Sequence, residues 1–101
     1  MNVFWTKFAL TSLETIYKYY KDNVSIIIAN NIRKSLLACT SQLEKFPKSG
    51  QIEELLIEMN ENHRYIIRGN YKIIYRIQKD NLYITDVFDS RQNPEKVRFR
   101  N

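Results

Sequence analysis

The residues best suited to chemistry are cations in the second half of the chain. Arg64, Arg68, Lys72, Arg76 and Lys79 follow one another with no acid before Asp80, and tyrosines lie among them. Arg91, Lys96, Arg98 and Arg100 carry the basic character onward, whereas Glu53, Glu54, Glu58 and Glu61 form an acidic stretch just upstream. Guanidinium and ammonium groups bind phosphates and tyrosine rings stack on bases, so a basic, tyrosine-bearing surface suits RNA. An ordinary solvated face of long side chains has the same composition.

Other chemistries find little support. His63 is the sole histidine and follows the acidic stretch, which reads as a surface or strand-edge position rather than a general base. One Cys and one His cannot build a structural zinc site, and no metal or other cofactor is expected. Cys39 falls on an apolar helix face and reads as a small core residue. No glycine-rich phosphate loop and no G-x-S-x-G elbow occurs. Asp86 and Asp89 read as salt-bridge partners of Arg91 or a neighbouring arginine.

The 101 residues are one domain's worth, long enough for a core without metals or disulfides. Apolar residues make up 44% and charged residues 27%, which excludes a disordered chain. Sixteen Lys and Arg against eleven Asp and Glu leave a net charge of +5, which favours an anionic partner. The first residues lack a signal peptide's basic start and apolar run, and Ile26–Ala29 is far too short to span a bilayer. A cytoplasmic protein without membrane contact is expected.

Elements that would position the cations follow from periodicity. Val3–Trp5 is β-prone, and Thr6 can cap a helix carrying Leu10, Leu13, Ile16, Tyr17 and Tyr20 at spacings of three and four. Asp22-Asn23 breaks it. Ser25 caps a second helix with Ile28, Ile32, Leu36, Cys39 and Leu43 on one face, ended by Phe46-Pro47. Tyr17 and Tyr20 read as core and Tyr19 as exposed. Arg64–Arg68, Tyr71–Ile77 and Leu82–Phe88 read as strands joined by the Gly69-Asn70 turn and the four-residue turn Gln78–Asn81. Asn93-Pro94-Glu95 starts a short terminal helix. The fold class is α+β in the order β-α-α-β-β-β, an antiparallel sheet with a helical hairpin packed on one face. If Ile77 opposes Leu82, then Tyr75 faces Ile84 and Arg76 faces Tyr83. Ile73, Tyr75, Ile77, Leu82 and Ile84 then face the helices, while Lys72, Ile74, Arg76, Tyr83 and Thr85 line an open face, barring a bulge.

The chain resembles the RelE/ParE superfamily, the toxins of bacterial type II toxin–antitoxin pairs, also called plasmid stabilisation proteins. The likeness rests on Trp5-Thr6 with Ala9 and Leu13, on Phe46-Pro47 with Gly50, and on Arg64. It continues through Asn70-Tyr71-Lys72-Ile73-Ile74-Tyr75-Arg76-Ile77 and Val87-Phe88-Asp89-Ser90-Arg91-Gln92-Asn93-Pro94. It covers nearly all of residues 1–101, read as a single toxin domain. The resemblance implies a growth-inhibiting protein held silent by a cognate antitoxin, with a toxin–antitoxin heterotetramer as one assembly. Its target would be ribosome-bound messenger RNA, cut without a metal in the RelE manner, or DNA gyrase, inhibited in the ParE manner. A basic module that docks RNA or an acidic protein without catalysis is the alternative.

Carried onto this sequence, Arg64, Lys72 and Arg91 match basic positions of the nuclease members, so they are the candidate catalytic residues. Arg68, Arg76 and Tyr83 are candidates for target binding. The sequence departs from the nucleases at Ile66 and Ile67, where those relatives often place a second lysine. Phe88 stands where many members have His, Phe99 cannot donate a proton, and the last tyrosine is Tyr83. No general acid is identified. The paired helices and the strand ending Phe88-Asp89-Ser90-Arg91 look more like ParE.

Overall fold

A computed structural model describes residues 1–91, so the expected terminal helix at Asn93-Pro94-Glu95 lies outside the described residues. The chain runs through β1 (Asn2–Trp5), α1 (Lys7–Asn23), α2 (Ile26–Leu37), α3 (Cys39–Lys45) and β2 (Gln51–Ile52). A 3-10 segment (Glu54–Met59) precedes β3 (Arg64–Arg68), β4 (Tyr71–Gln78) and β5 (Asn81–Asp89). The five strands form one sheet in the order β1-β5-β4-β3-β2. The sheet is mixed rather than antiparallel throughout, because β1 pairs parallel with β5, Asn2 opposite Asn81 to Trp5 opposite Ile84.

Both long helices begin where a hydroxyl can satisfy an orphan amide. Thr6 Oγ1 accepts from the Ala9 N–H at 3.1 Å and Ser25 Oγ from the Ile28 N–H at 3.1 Å. The expected second helix is interrupted at Ala38 and continues as α3. Its buried stripe is Ala29, Leu36, Cys39 and Leu43, with Ile32 half-buried; Ile28 is exposed, one position off the stripe. On α1, Ala9 and Leu13 are buried and Leu10 is exposed. These side chains pack on Ile73, Tyr75, Leu82, Ile84 and Val87 to make the main core. Cys39 lies in that core, where burial pushes its thiol up to about 12.

The register of β4 on β5 is the expected one from Tyr75–Ile84 to Ile77–Leu82. Beyond it a bulge at Thr85 shifts the pairing so that Ile74 opposes Asp86 and Lys72 opposes Phe88. The β4–β5 turn is shorter than expected. Gln78 and Asn81 already pair, leaving Lys79-Asp80 with Lys79 at φ 56. Gly69 takes φ 58 in the β3–β4 turn, where a side chain would be strained.

The second sheet face is open only in part. Leu56 of the 3-10 segment is buried against Ile74 and Phe88 in a small second core, with Leu55 and Tyr65 beside it. Ile74, expected to line an open face, is fully buried. An apolar Ile74–Phe88 surface needs a cover, and the residues that follow Glu53 provide it.

Candidate functional site

Pairing sorts the cations between faces, because directly opposed residues of an antiparallel pair share a side. Arg64 opposes Tyr75 and Arg68 opposes Tyr71, so both arginines lie on the helix side. Lys72 opposes Ile67 and Arg76 opposes Tyr83, on the other side. The tight Gly69-Asn70 reversal sets even-numbered residues of β3 against odd-numbered residues of β4, and so divides a cationic series that looks continuous in sequence.

Each of the five candidate cations has a structural engagement. Arg64 Nη1 donates to the Gly50 carbonyl at 2.9 Å. Arg68 Nη2 donates to Gln42 Oε1 at 2.6 Å. Lys72 is ion-paired with Glu53, whose side chain is 3% exposed, and its ammonium lies 4.1 Å from the centre of the Tyr65 ring. Arg76 Nε meets Glu61 Oε2 at 3.3 Å, and its guanidinium lies 5.0 Å from the centre of the Tyr83 ring. Tyr83 in turn stacks on the half-exposed Phe4 of β1 with centroids 5.8 Å apart. Arg91 is far along the chain's course on β5's end, exposed, and donates to Asp89 through Nε at 2.9 Å and Nη2 at 2.5 Å. Of the two aspartates read as ion-pair partners, Asp89 thus has that role with Arg91. Asp86 is fully buried, its Oδ1 3.5 Å from Ser12 Oγ.

The candidate trio Arg64, Lys72 and Arg91 therefore does not share one surface. Arg64 is on the helix side, Lys72 lies against the acidic cover, and Arg91 lines a cleft of about 390 Å³ between α1 and β5 with Thr11, Thr15, Tyr19 and Tyr20. Tyr71 closes the floor of that cleft, donating to the Tyr20 hydroxyl at 3.1 Å; burial raises its phenol. Glu53 is the functional-looking residue that sequence reasoning missed. Its carboxylate also accepts from the Leu55 N–H at 3.1 Å, capping the 3-10 segment. The available signal was Leu55-Leu56-Ile57 among acids, an apolar run that a solvated stretch would not need.

His63 is buried rather than at a surface, 3% exposed, with Nε2 3.9 Å from Glu61 Oε2. Burial holds its imidazole below the ordinary 6.5, Glu61 pulls it up and Arg76 pushes it down. As pH falls below about 6.5 the unfolded chain takes the proton first, so stability present above that pH is lost towards the lower folded value. Urea midpoints measured from about pH 7.5 to pH 5 should fall with pH, and His63→Gln should flatten that slope. A parent slope that His63→Gln leaves unchanged would assign the effect to other groups.

No group of His, Cys, Asp and Glu among the described residues could hold a metal ion. No helix among them is long and apolar enough to cross a membrane.

The sequence matches the model of the family described as the ParE toxin of type II toxin–antitoxin system, parDE, over residues 3–94. The fold is similar to a chain of the solved chromosomal ParDE toxin–antitoxin system from P. aeruginosa, with a TM-score of 0.72. The two share 18% identity, and the alignment covers 88% of this chain and 95% of that one. The search of curated proteins returns no match.

Proposed function

Because the chain belongs to the ParE family of toxins from type II toxin–antitoxin systems, we propose that it arrests growth by inhibiting DNA gyrase rather than by cutting messenger RNA. The toxin role and the existence of a cognate antitoxin come with the family. The choice of target is our reading, as are a cytoplasmic location and a toxin–antitoxin heterotetramer.

One observation carries the choice. Cleavage by an attacking 2′-hydroxyl needs a base, an acid and cations around one phosphate. Here Lys72 is neutralised by Glu53, while Arg64 faces the opposite side of the sheet and is bound to the Gly50 carbonyl. A gyrase inhibitor needs a binding surface and no proton transfer. The stacked Phe4, Tyr83 and Arg76 offer one, aromatic and cationic, across β1, β5 and β4.

Purified protein should abolish supercoiling by gyrase in vitro while messages on translating ribosomes stay intact by primer extension. Codon-positioned cuts with unaffected supercoiling would reverse the assignment. Arg76→Ala and Tyr83→Ala should each lower growth inhibition. Arg76→Ala should melt near the parent, since a half-exposed ion pair contributes only about 0–1 kcal/mol. Full toxicity in both variants would move the binding surface elsewhere.

A further inference from the structure

We propose that the cavity between α2 and the β3–β4 turn is a carboxylate-binding subsite, anchored by Arg68, that receives an aspartate or glutamate side chain of the antitoxin. This rests on the antitoxin partner above and adds the chemistry of one contact. The cavity measures about 200 Å³, enough for the end of one side chain. Ile32 and Leu36 supply apolar wall, while Ser35, Arg68, Asn70 and Tyr71 supply polar groups, and no Asp or Glu lines it.

Ser35, Arg68 and Asn70 can each donate a hydrogen bond, and a guanidinium can do nothing else; the Tyr71 hydroxyl already donates to Tyr20. Arg68 forms no ion pair among the described residues. Its Nη2 donates to Gln42 Oε1, a neutral amide oxygen, and its Nε is buried with no acceptor. A guanidinium with no anionic neighbour can donate to a carboxylate through two parallel bonds. The net charge of +5 draws acidic segments to the protein. The apolar wall fits the methylenes of a Glu or Asp, which inorganic phosphate lacks.

The test is a nitrogen-15 NMR titration of the full chain with N-acetyl-glutamate N-methylamide, its glutamine analogue and inorganic phosphate. The glutamate compound should give saturable shifts at Gly69, Asn70 and the Arg68 Nε–H. The glutamine analogue and phosphate should not. Arg68→Gln should abolish the response while the rest of its spectrum matches the parent. In the antitoxin complex the same variant should weaken association by about tenfold, the loss of one charge-assisted contact. Equal shifts from the glutamine analogue, shifts from phosphate, or none at all overturn the subsite. An intact glutamate response with unchanged antitoxin affinity in Arg68→Gln overturns its assignment to the antitoxin. Failure of the parent to bind any antitoxin sinks the partner reading instead, and the glutamate titration still decides the subsite.

Discussion

Replacing Lys72 with alanine should unfold much of the population at temperatures where the parent is stable. The substitution leaves the Glu53 carboxylate 3% exposed with its ion-pair partner gone. Removing one member of a buried pair costs about 3–5 kcal/mol, a large part of the roughly 5–15 kcal/mol that holds a domain together. The loss extends beyond the pair, because Glu53 caps the 3-10 segment that places Leu56 over Ile74 and Phe88. Sequence reasoning places Lys72 on an open face; burial of its partner makes it a structural residue instead. The double variant Lys72→Met with Glu53→Gln should recover most of the stability, since replacing both charges removes the uncompensated carboxylate. Thermal melts of the two variants beside the parent decide the matter. A Lys72→Ala protein that melts with the parent would mean that the pair contributes nothing.

Gly50→Ala should be nearly as damaging for a steric reason. A Cβ there would lie 2.6 Å from the Tyr65 carbonyl oxygen, 2.6 Å from the Tyr75 hydroxyl and 2.8 Å from Tyr75 Cε1. Tyr75 is fully buried and its hydroxyl is held twice, donating to the Pro47 carbonyl at 2.8 Å and accepting from the Gly50 N–H at 2.9 Å. The ring cannot move aside without leaving the core, and the backbone of β3 cannot move without losing β2. We expect a cost of about 3 kcal/mol, at the upper end for overpacking. That corresponds to a fall in Tm of roughly 10–20 °C for a domain of this size. Tyr75→Phe removes only the hydroxyl and should cost about 1–3 kcal/mol, by leaving the Gly50 N–H unsatisfied. A Gly50→Ala melt within a degree or two of the parent would show that the strand gives way freely.

The helices and the meander were legible because their signals are local. Thr6 and Ser25 are side-chain caps, and the alternation of Tyr71–Ile77 against Leu82–Phe88 fixes a register that the structure keeps up to the bulge. What stayed hidden was non-local. The parallel strand β1 finds its partner some eighty positions away, and nothing in Asn2–Trp5 names it. The two-residue β2 is too short for any periodic signal. Sequence spacing alone makes the candidate cations one basic row, because it runs across Gly69-Asn70 without carrying the face through the turn. That inversion was available from the turn dipeptide itself. The cover over Ile74 and Phe88 was available as well, since a strand that alternates Ile74 with Lys72 and Arg76 leaves an apolar side chain on the far face.

The adjacency of β1 and β5 has a consequence for how the protein is made. A chain emerging from the ribosome exposes β1 well before its hydrogen-bonding partner, residues 81–84, which is synthesised some eighty residues later. Until then Val3 and Trp5, which pack against the main core, have no sheet neighbour, and the Ala9–Leu13 face of α1 lacks the Leu82, Ile84 and Val87 surface it buries against. Closure between such distant segments bears a loop entropy that the local helical hairpin does not, and it slows folding relative to a helical domain of equal length. The helical hairpin can therefore form during translation, whereas the sheet, and every cation ordered by it, becomes native only after the last strand is out. The β1 edge of the sheet therefore stays unpaired until residues 81–84 have been made.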